Sequence, residues 1–141
     1  MYTTIVSNQD QALCHLFFHC CLEDGRFTEP EMESLSGTLV QLGLQPKLNI
    51  KNELISYRSY KPSITDETAY LKFLIAFINP VNELALYSYC VELCISDPAL
   101  DPQEEALLNK LADVLEIEPG LAIIINKLMA QRKAVDLQKI F

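Results

Sequence analysis

The stretch Asp24-Gly25-Arg26-Phe27-Thr28-Glu29-Pro30-Glu31 decides the fold, because it recurs as Asp97-Pro98-Ala99-Leu100-Asp101-Pro102-Gln103-Glu104. Both copies read Asp, two residues, a large apolar residue, a residue type that caps helix N-termini, two residues and Glu. Each copy follows an apolar stretch that contains cysteine, and each precedes an amphipathic stretch. The pattern therefore predicts two copies of one helix–loop–helix unit.

The two units align without a gap when residues 14–44 are set against residues 87–117. The matched residues are those that set helix ends and apolar faces: Cys21 with Cys94, Asp24 with Asp97, Glu31 with Glu104, Leu35 with Leu108 and Leu42 with Leu115. We interpret the match as a duplication, which predicts two pseudo-symmetric repeats.

Apolar residues at helical spacing continue through the rest of the chain and predict about seven helices and no strand. Half of the 141 residues are hydrophobic, which fits one domain over residues 1–141 with a single core. The expected fold class is an all-α bundle. Ser7 and Thr65 are expected to cap two of the helices, and the helix over 66–78 is expected to be central and well buried. The last helix is predicted to start at Glu118-Pro119 and to carry five apolar residues: Leu121, Ile124, Ile125, Leu128 and Met129.

The charge is uneven as well as negative. The chain carries a net charge of −8, and residues 1–46 hold six acids against one base, while residues 73–118 hold nine acids against one base. A nucleic-acid partner requires clusters of Lys and Arg, so this distribution argues against one. It permits a divalent cation or a basic protein partner.

The chain resembles the TerB-like family, a small all-helical domain first associated with tellurite resistance. That family's pattern is Asp-Gly-x-apolar-[Ser/Thr/Asp]-x-x-Glu between two helices, given twice. Residues 22–31 fit the pattern, and residues 95–104 fit it except that Pro98 replaces the glycine. Proline fixes φ at about −65°, so the second loop is expected to differ from the first in backbone geometry.

The resemblance covers roughly residues 10–130. It implies an all-helical, pseudo-two-fold domain, acidic residues that hold a divalent metal, and a role in stress-response or membrane-associated assemblies. It implies no enzyme activity.

The repeated carboxylates have two interpretations. Asp24, Glu31, Asp97 and Glu104 are the candidate ligands of a hard divalent cation, Ca²⁺, Mg²⁺ or Mn²⁺, held by the acidic loops of both copies. The alternative is purely structural: Glu31 and Glu104 complete capping boxes, and the two aspartates shape the turns. An EF-hand is excluded, because neither copy has the ligand spacing of its 12-residue loop.

His15 and His19 lie four residues apart and share a helix face, with cysteines at the same spacing at Cys90 and Cys94. A zinc or iron site is conceivable there, but the Cys-x-x-Cys spacing is absent, and buried structural thiols in a reducing compartment are the expected state. No P-loop, dinucleotide fingerprint or Gly-x-Ser-x-Gly occurs, so the chain is expected not to be an enzyme.

Two places have partner contact as the alternative to a purely structural role. Tyr57 and Tyr60 either belong to the core or face a partner. The basic tail, with Lys127, Arg132, Lys133 and Lys139, is a solvated helix face, or else it contacts a protein or the surface of an anionic membrane.

The sequence as a whole predicts a cytoplasmic, non-enzymatic helical module with a protein partner, its oligomeric state left open. The alternative is an interaction module whose carboxylates only cap helices.

Overall fold

The computed structural model describes residues 2–22, 29–44, 48–95 and 102–136. Regular structure in these ranges is helical, without strands, and comprises α1 Tyr2–Ile5, α2 Gln9–Cys21, α3 Glu29–Gln41, α4 Ile50–Tyr60, α5 Glu67–Ile78, α6 Glu83–Cys94, α7 Pro102–Val114 and α8 Pro119–Asp136, with a 3₁₀ turn at Lys61–Ser63. The all-α prediction is confirmed. The described helices number eight rather than about seven. The added helix, α1, has only four residues, which is too short to show an apolar period.

Side chains that cap the helix N-terminus set where helices begin. For two helices the capping residue lies one position later than predicted. Asn8, not Ser7, caps α2, because its side chain accepts a hydrogen bond from the Gln11 N–H at 2.8 Å. Asp66, not Thr65, caps α5 by accepting from the backbone N–H of Ala69 at 3.1 Å. In each pair both neighbours can cap, so residue type alone does not choose between them.

The central helix is α2, which packs against α3, α4, α5 and α6. Nine of its 13 residues are buried, including both histidines. Helix α5, which was predicted to be central and well buried, packs on α2 and α7 and buries Tyr70, Leu71, Leu74 and Ile78, but it leaves Phe77 exposed. The core therefore forms around a helix that also carries polar side chains.

The local structure of the two predicted units is alike. Helices α3 and α7 begin 73 residues apart and end 73 residues apart, and so do the C-terminal residues of α2 and α6. The backbone hydrogen bonds that close α3 recur at the same offset in α7: Leu42 to Thr38, Gly43 to Val40 and Leu44 to Leu39, against Leu115 to Leu111, Glu116 to Asp113 and Ile117 to Ala112. How the two units are related in space stays a prediction.

Helix α8 lies at the edge of the bundle, where it packs chiefly on α6. Ala122 and Ile125 are buried there, and the Tyr87 hydroxyl of α6 donates to Asn126 Oδ1 at 2.8 Å. None of the described helices combines the length and the apolar composition that crossing a membrane requires.

Candidate functional site

Both histidines of the chain belong to a buried polar network at the contact of α2 with α4 and α5. The Nδ1 atom of His15 lies 2.6 Å from the Tyr60 hydroxyl, and its Nε2 lies 3.1 Å from Glu53 Oε1. The Gln11 amide donates to the same Glu53 oxygen at 2.9 Å. Because the side chains of His15 and Tyr60 are fully buried, the first arm of the network is closed off from solvent except at Glu53.

The second arm repeats the same chemistry one helical turn further along α2. His19 places Nδ1 2.7 Å from the Tyr57 hydroxyl and Nε2 2.8 Å from Glu67 Oε2. Lys110 of α7 donates to the other oxygen of Glu67 at 3.0 Å. The arm thereby joins three helices, α4, α5 and α7, to α2.

Proton positions in the first arm follow from the partners. A carboxylate oxygen only accepts, so Nε2 of His15 donates to Glu53. Burial lowers the pKa of His15 against the opposing effect of the bond to Glu53, so the neutral ring accepts at Nδ1 from Tyr60. The Tyr60 oxygen then accepts from the Tyr70 hydroxyl at 2.6 Å. Burial raises the pKa of both tyrosines, which keeps the two hydroxyl protons in place.

Glu67 is held in its ionised form. The hydrogen bond from His19, supported by the one from Lys110 and opposed by burial, lowers the pKa of Glu67 to about 2. No buried side-chain nitrogen or oxygen in the described part lacks a hydrogen bond. A fully bonded buried network of this kind fixes one arrangement of helices.

The network bears on two hypotheses from the sequence, a partner contact at Tyr57 and Tyr60 and a metal site at His15 and His19. Tyr57 and Tyr60 belong to the core, because both are fully buried, so the proposal that they face a partner is wrong. His15 and His19 have both ring nitrogens engaged by tyrosine and glutamate. Within the described ranges, no group of three or more Asp, Glu, His or Cys side chains is placed to hold a metal ion.

All five cysteines are buried, as predicted. Burial, with the charge of Glu53, raises the pKa of Cys14 to about 12. The hydrogen bond with Cys90, together with burial, raises the pKa of Cys20 well above its ordinary value. Only a thiolate is a strong nucleophile or metal ligand, so neither environment activates its sulfur.

The predicted acidic site falls mostly outside the described residues. Asp24 and Asp97 lie in the undescribed ranges, and so does the side chain of Glu31, whose backbone belongs to α3. Glu104 is described, and it is buried in the first turn of α7, with 5% of its surface exposed. Its position suits either a capping role or a ligand role.

The outer face of α8 carries a row of exposed apolar side chains. Leu121, Ile124, Leu128 and Val135, here called the outer stripe, are exposed by 36%, 54%, 59% and 65%. Of the five apolar residues predicted on this helix, Ile125 and Met129 turn inward, and Ala122 does so as well. The apolar residues of α8 therefore form two rows, one packed against the bundle and one exposed.

In comparisons with known proteins, the chain gives no significant match to a protein-family model, a curated protein or a solved structure. The resemblance to the TerB-like family therefore stays a prediction, carried by residues 22–31 and 95–104.

Proposed function

We propose that this chain is a non-enzymatic helical module that binds a partner protein through the outer stripe of α8. The observation that carries the proposal is the row of four exposed apolar side chains along one helix. Single exposed apolar residues are ordinary on protein surfaces, whereas several along one helix face mark an interaction site.

The inner face of α8 supports the proposal, because it holds the outer stripe in a fixed orientation. Ala122 and Ile125 bury against the bundle, and the bond from Tyr87 to Asn126 fixes the rotation of the helix on α6. A surface that is ordered before binding loses less entropy when a partner docks.

The buried network and the thiols support the non-enzymatic part of the proposal. A histidine that acts as a general base needs a ring nitrogen within reach of a substrate proton, and the ring nitrogens of His15 and His19 already engage core partners. The raised pKa values of Cys14 and Cys20 favour inert thiols.

The test is a photo-cross-linking residue placed at Leu128 of the full chain, in cells that express it natively. We expect a specific cross-linked protein that Ile124→Asp removes and Ile123→Asp retains. The two isoleucines are adjacent and equally exposed, at 54% each, but only Ile124 lies in the outer stripe. A cross-linking pattern that the two variants change equally would contradict the proposal.

A divalent cation at the acidic loops is the second candidate function. The described member of its candidate ligands is Glu104, which is buried in the first turn of α7, at the end of the second acidic stretch of the sequence. Calorimetric titration with Ca²⁺, Mg²⁺ and Mn²⁺ is expected to give heat that the double variant Asp24→Asn/Asp97→Asn abolishes. Equal heats from both proteins would remove the metal role. If the double variant lost the same thermal stability with and without metal, the capping role of the carboxylates would be the one that remains.

The finer architecture belongs to the same proposal. We infer that the two helix pairs are pseudo-symmetric repeats, supported by their shared helix bounds and shared C-terminal hydrogen bonds. The cytoplasmic setting and a role in a stress-response or membrane-associated assembly rest on the TerB-like resemblance and on the composition.

A further inference from the structure

We infer that the partner of the outer stripe is an amphipathic helix whose apolar seam is flanked by Glu or Asp side chains. The inference rests on the proposed function and adds the chemistry of the partner. Three features of α8 carry it: the spacing of the stripe, its narrow width and the charges beside it.

The spacing is that of a helix–helix seam. Leu121, Ile124, Leu128 and Val135 fall on alternating three- and four-residue steps, with exposed Gln131 filling the one missing position. This is the a/d pattern through which two helices pack side by side. From residue 121 to residue 135 the stripe runs about 21 Å at 1.5 Å per residue, so it accommodates about four turns of a partner helix.

Basic side chains border the stripe on both sides. Counted from Leu121 as an a position, Lys127 takes the g position and Arg132 the e position, the two sites that flank a seam. Both residues are exposed, and neither forms an ion pair with another side chain in the described part of the chain. Acidic residues at the facing positions of a partner would form ion pairs with these two side chains.

The same charges disfavour a second copy of the chain as the occupant. In a parallel pair of α8 helices, Lys127 of one copy would face Arg132 of the other. In an antiparallel pair, g positions face g positions and e positions face e positions, so like charges meet again. The outer stripe is therefore suited to a different, acidic helix.

A membrane fits the stripe less well than a helix does. Helices that lie in a membrane interface bury a wide apolar face, whereas the stripe is about one residue wide and is interrupted by Gln131.

The test uses two synthetic helical peptides of three heptads with Leu at every a and d position. One peptide has Glu at e and g, and the other has Lys there. Fluorescence anisotropy with the full chain is expected to show the Glu peptide binding at least about tenfold more tightly than the Lys peptide, a difference that shrinks as salt is added. Ile124→Asp is expected to weaken binding about tenfold, while Ile123→Asp leaves it within about twofold.

The most direct test reverses the charges beside the outer stripe. The variant Lys127→Glu/Arg132→Glu is expected to prefer the Lys peptide, and circular dichroism verifies that each variant keeps its helix content. Equal binding of both peptides, or preference for vesicles of phosphatidylserine and phosphatidylcholine over the Glu peptide, would overturn the inference. So would a dimer in sedimentation that Ile124→Asp dissolves.

The inference and the proposed function fail separately. A specific cross-link at Leu128 together with no binding of either peptide would leave the proposed function standing and remove the acidic helix. No specific cross-link and no peptide binding would remove both.

Discussion

Gly43 and Glu116, which lie 73 residues apart, both hold a left-handed backbone, with φ of 79° and 58°. Each residue follows the last turn of its helix, α3 or α7, and each donates its N–H back into that turn. The left-handed conformation is free of strain for glycine and costs other residues about 1–2 kcal/mol. One copy of the motif thus carries the residue that suits the turn, and the other copy does not.

This relationship predicts that a glycine gained at position 116 stabilises the protein, whereas loss of the glycine at position 43 destabilises it. Glu116→Gly is expected to raise the free energy of unfolding by up to about 1 kcal/mol, and Gly43→Ala to lower it by about 1 kcal/mol. Space does not explain the second effect, because a Cβ built on Gly43 meets nothing within 4 Å. Urea unfolding monitored by circular dichroism measures both changes.

The control is the same substitution inside a helix. Gly37 lies within α3, and a Cβ placed there also meets nothing within 4 Å. Gly37→Ala should therefore stabilise the protein by about 1 kcal/mol through helix propensity. If Gly43→Ala and Gly37→Ala shifted the unfolding midpoint in the same direction, the backbone argument would be wrong.

Removal of one buried hydroxyl tests the polar network. Tyr60→Phe leaves His15 Nδ1 without its donor and the Tyr70 hydroxyl without its acceptor, so we expect a loss of about 1–3 kcal/mol. Tyr89→Phe is the matched control, because the Tyr89 hydroxyl makes no hydrogen bond within the described part of the chain, and its expected effect is under about 0.5 kcal/mol. Equal losses in the two variants would argue against a stabilising network.

His15 predicts a loss of stability in mild acid. Because burial lowers its pKa from 6.5, the unfolded chain binds a proton before the folded protein does as the pH falls. Stability is therefore expected to decrease from pH 6.5 downward until the lower folded pKa is reached. His15→Gln should flatten the dependence of the unfolding free energy on pH below about pH 6.5. A slope unchanged by the substitution would show that other groups cause the acid sensitivity.

Glu67 predicts a second loss at lower pH. Its pKa is lowered from 4.5 to about 2, so its contribution is fully present above pH 4.5 and disappears as the pH falls toward 2. The stabilisation at pH 7 is on the order of 2 kcal/mol. Glu67→Gln should remove it, and Lys110→Met should remove a smaller part, because Lys110 is more exposed than His19. Guanidinium unfolding titrations at pH 7 and pH 3 measure how much of this stabilisation each of the two variants loses.

Local features of the fold were within reach of sequence reasoning. The helices ended where Gly43 and Asn79 follow apolar periods, and α8 began at Pro119 as predicted. Caps were missed by one residue where two capping types stand side by side, as Thr65 and Asp66 do. Local preferences set these features, so the sequence near each one contains the needed information.

The network and the outer stripe were not predictable in the same way. Tyr60 lies 45 residues after His15 in the chain, so no local pattern links them before the packing of α2 on α4 is known. Leu128 and Met129 are neighbours that serve opposite faces of α8, and only the position of α6 decides which of them is covered. The metal prediction for Asp24 and Asp97 stays a prediction because both lie outside the described ranges.

The burial of every thiol has a practical consequence for handling this protein. All five cysteines lie in α2 and α6, so an oxidant or a labelling reagent reaches them only when these helices separate from the bundle. The rate of thiol labelling thus reports how often the core opens, without any added probe. A preparation that unfolds transiently in air forms disulfides that its folded state does not contain, and its storage lifetime follows that opening rate.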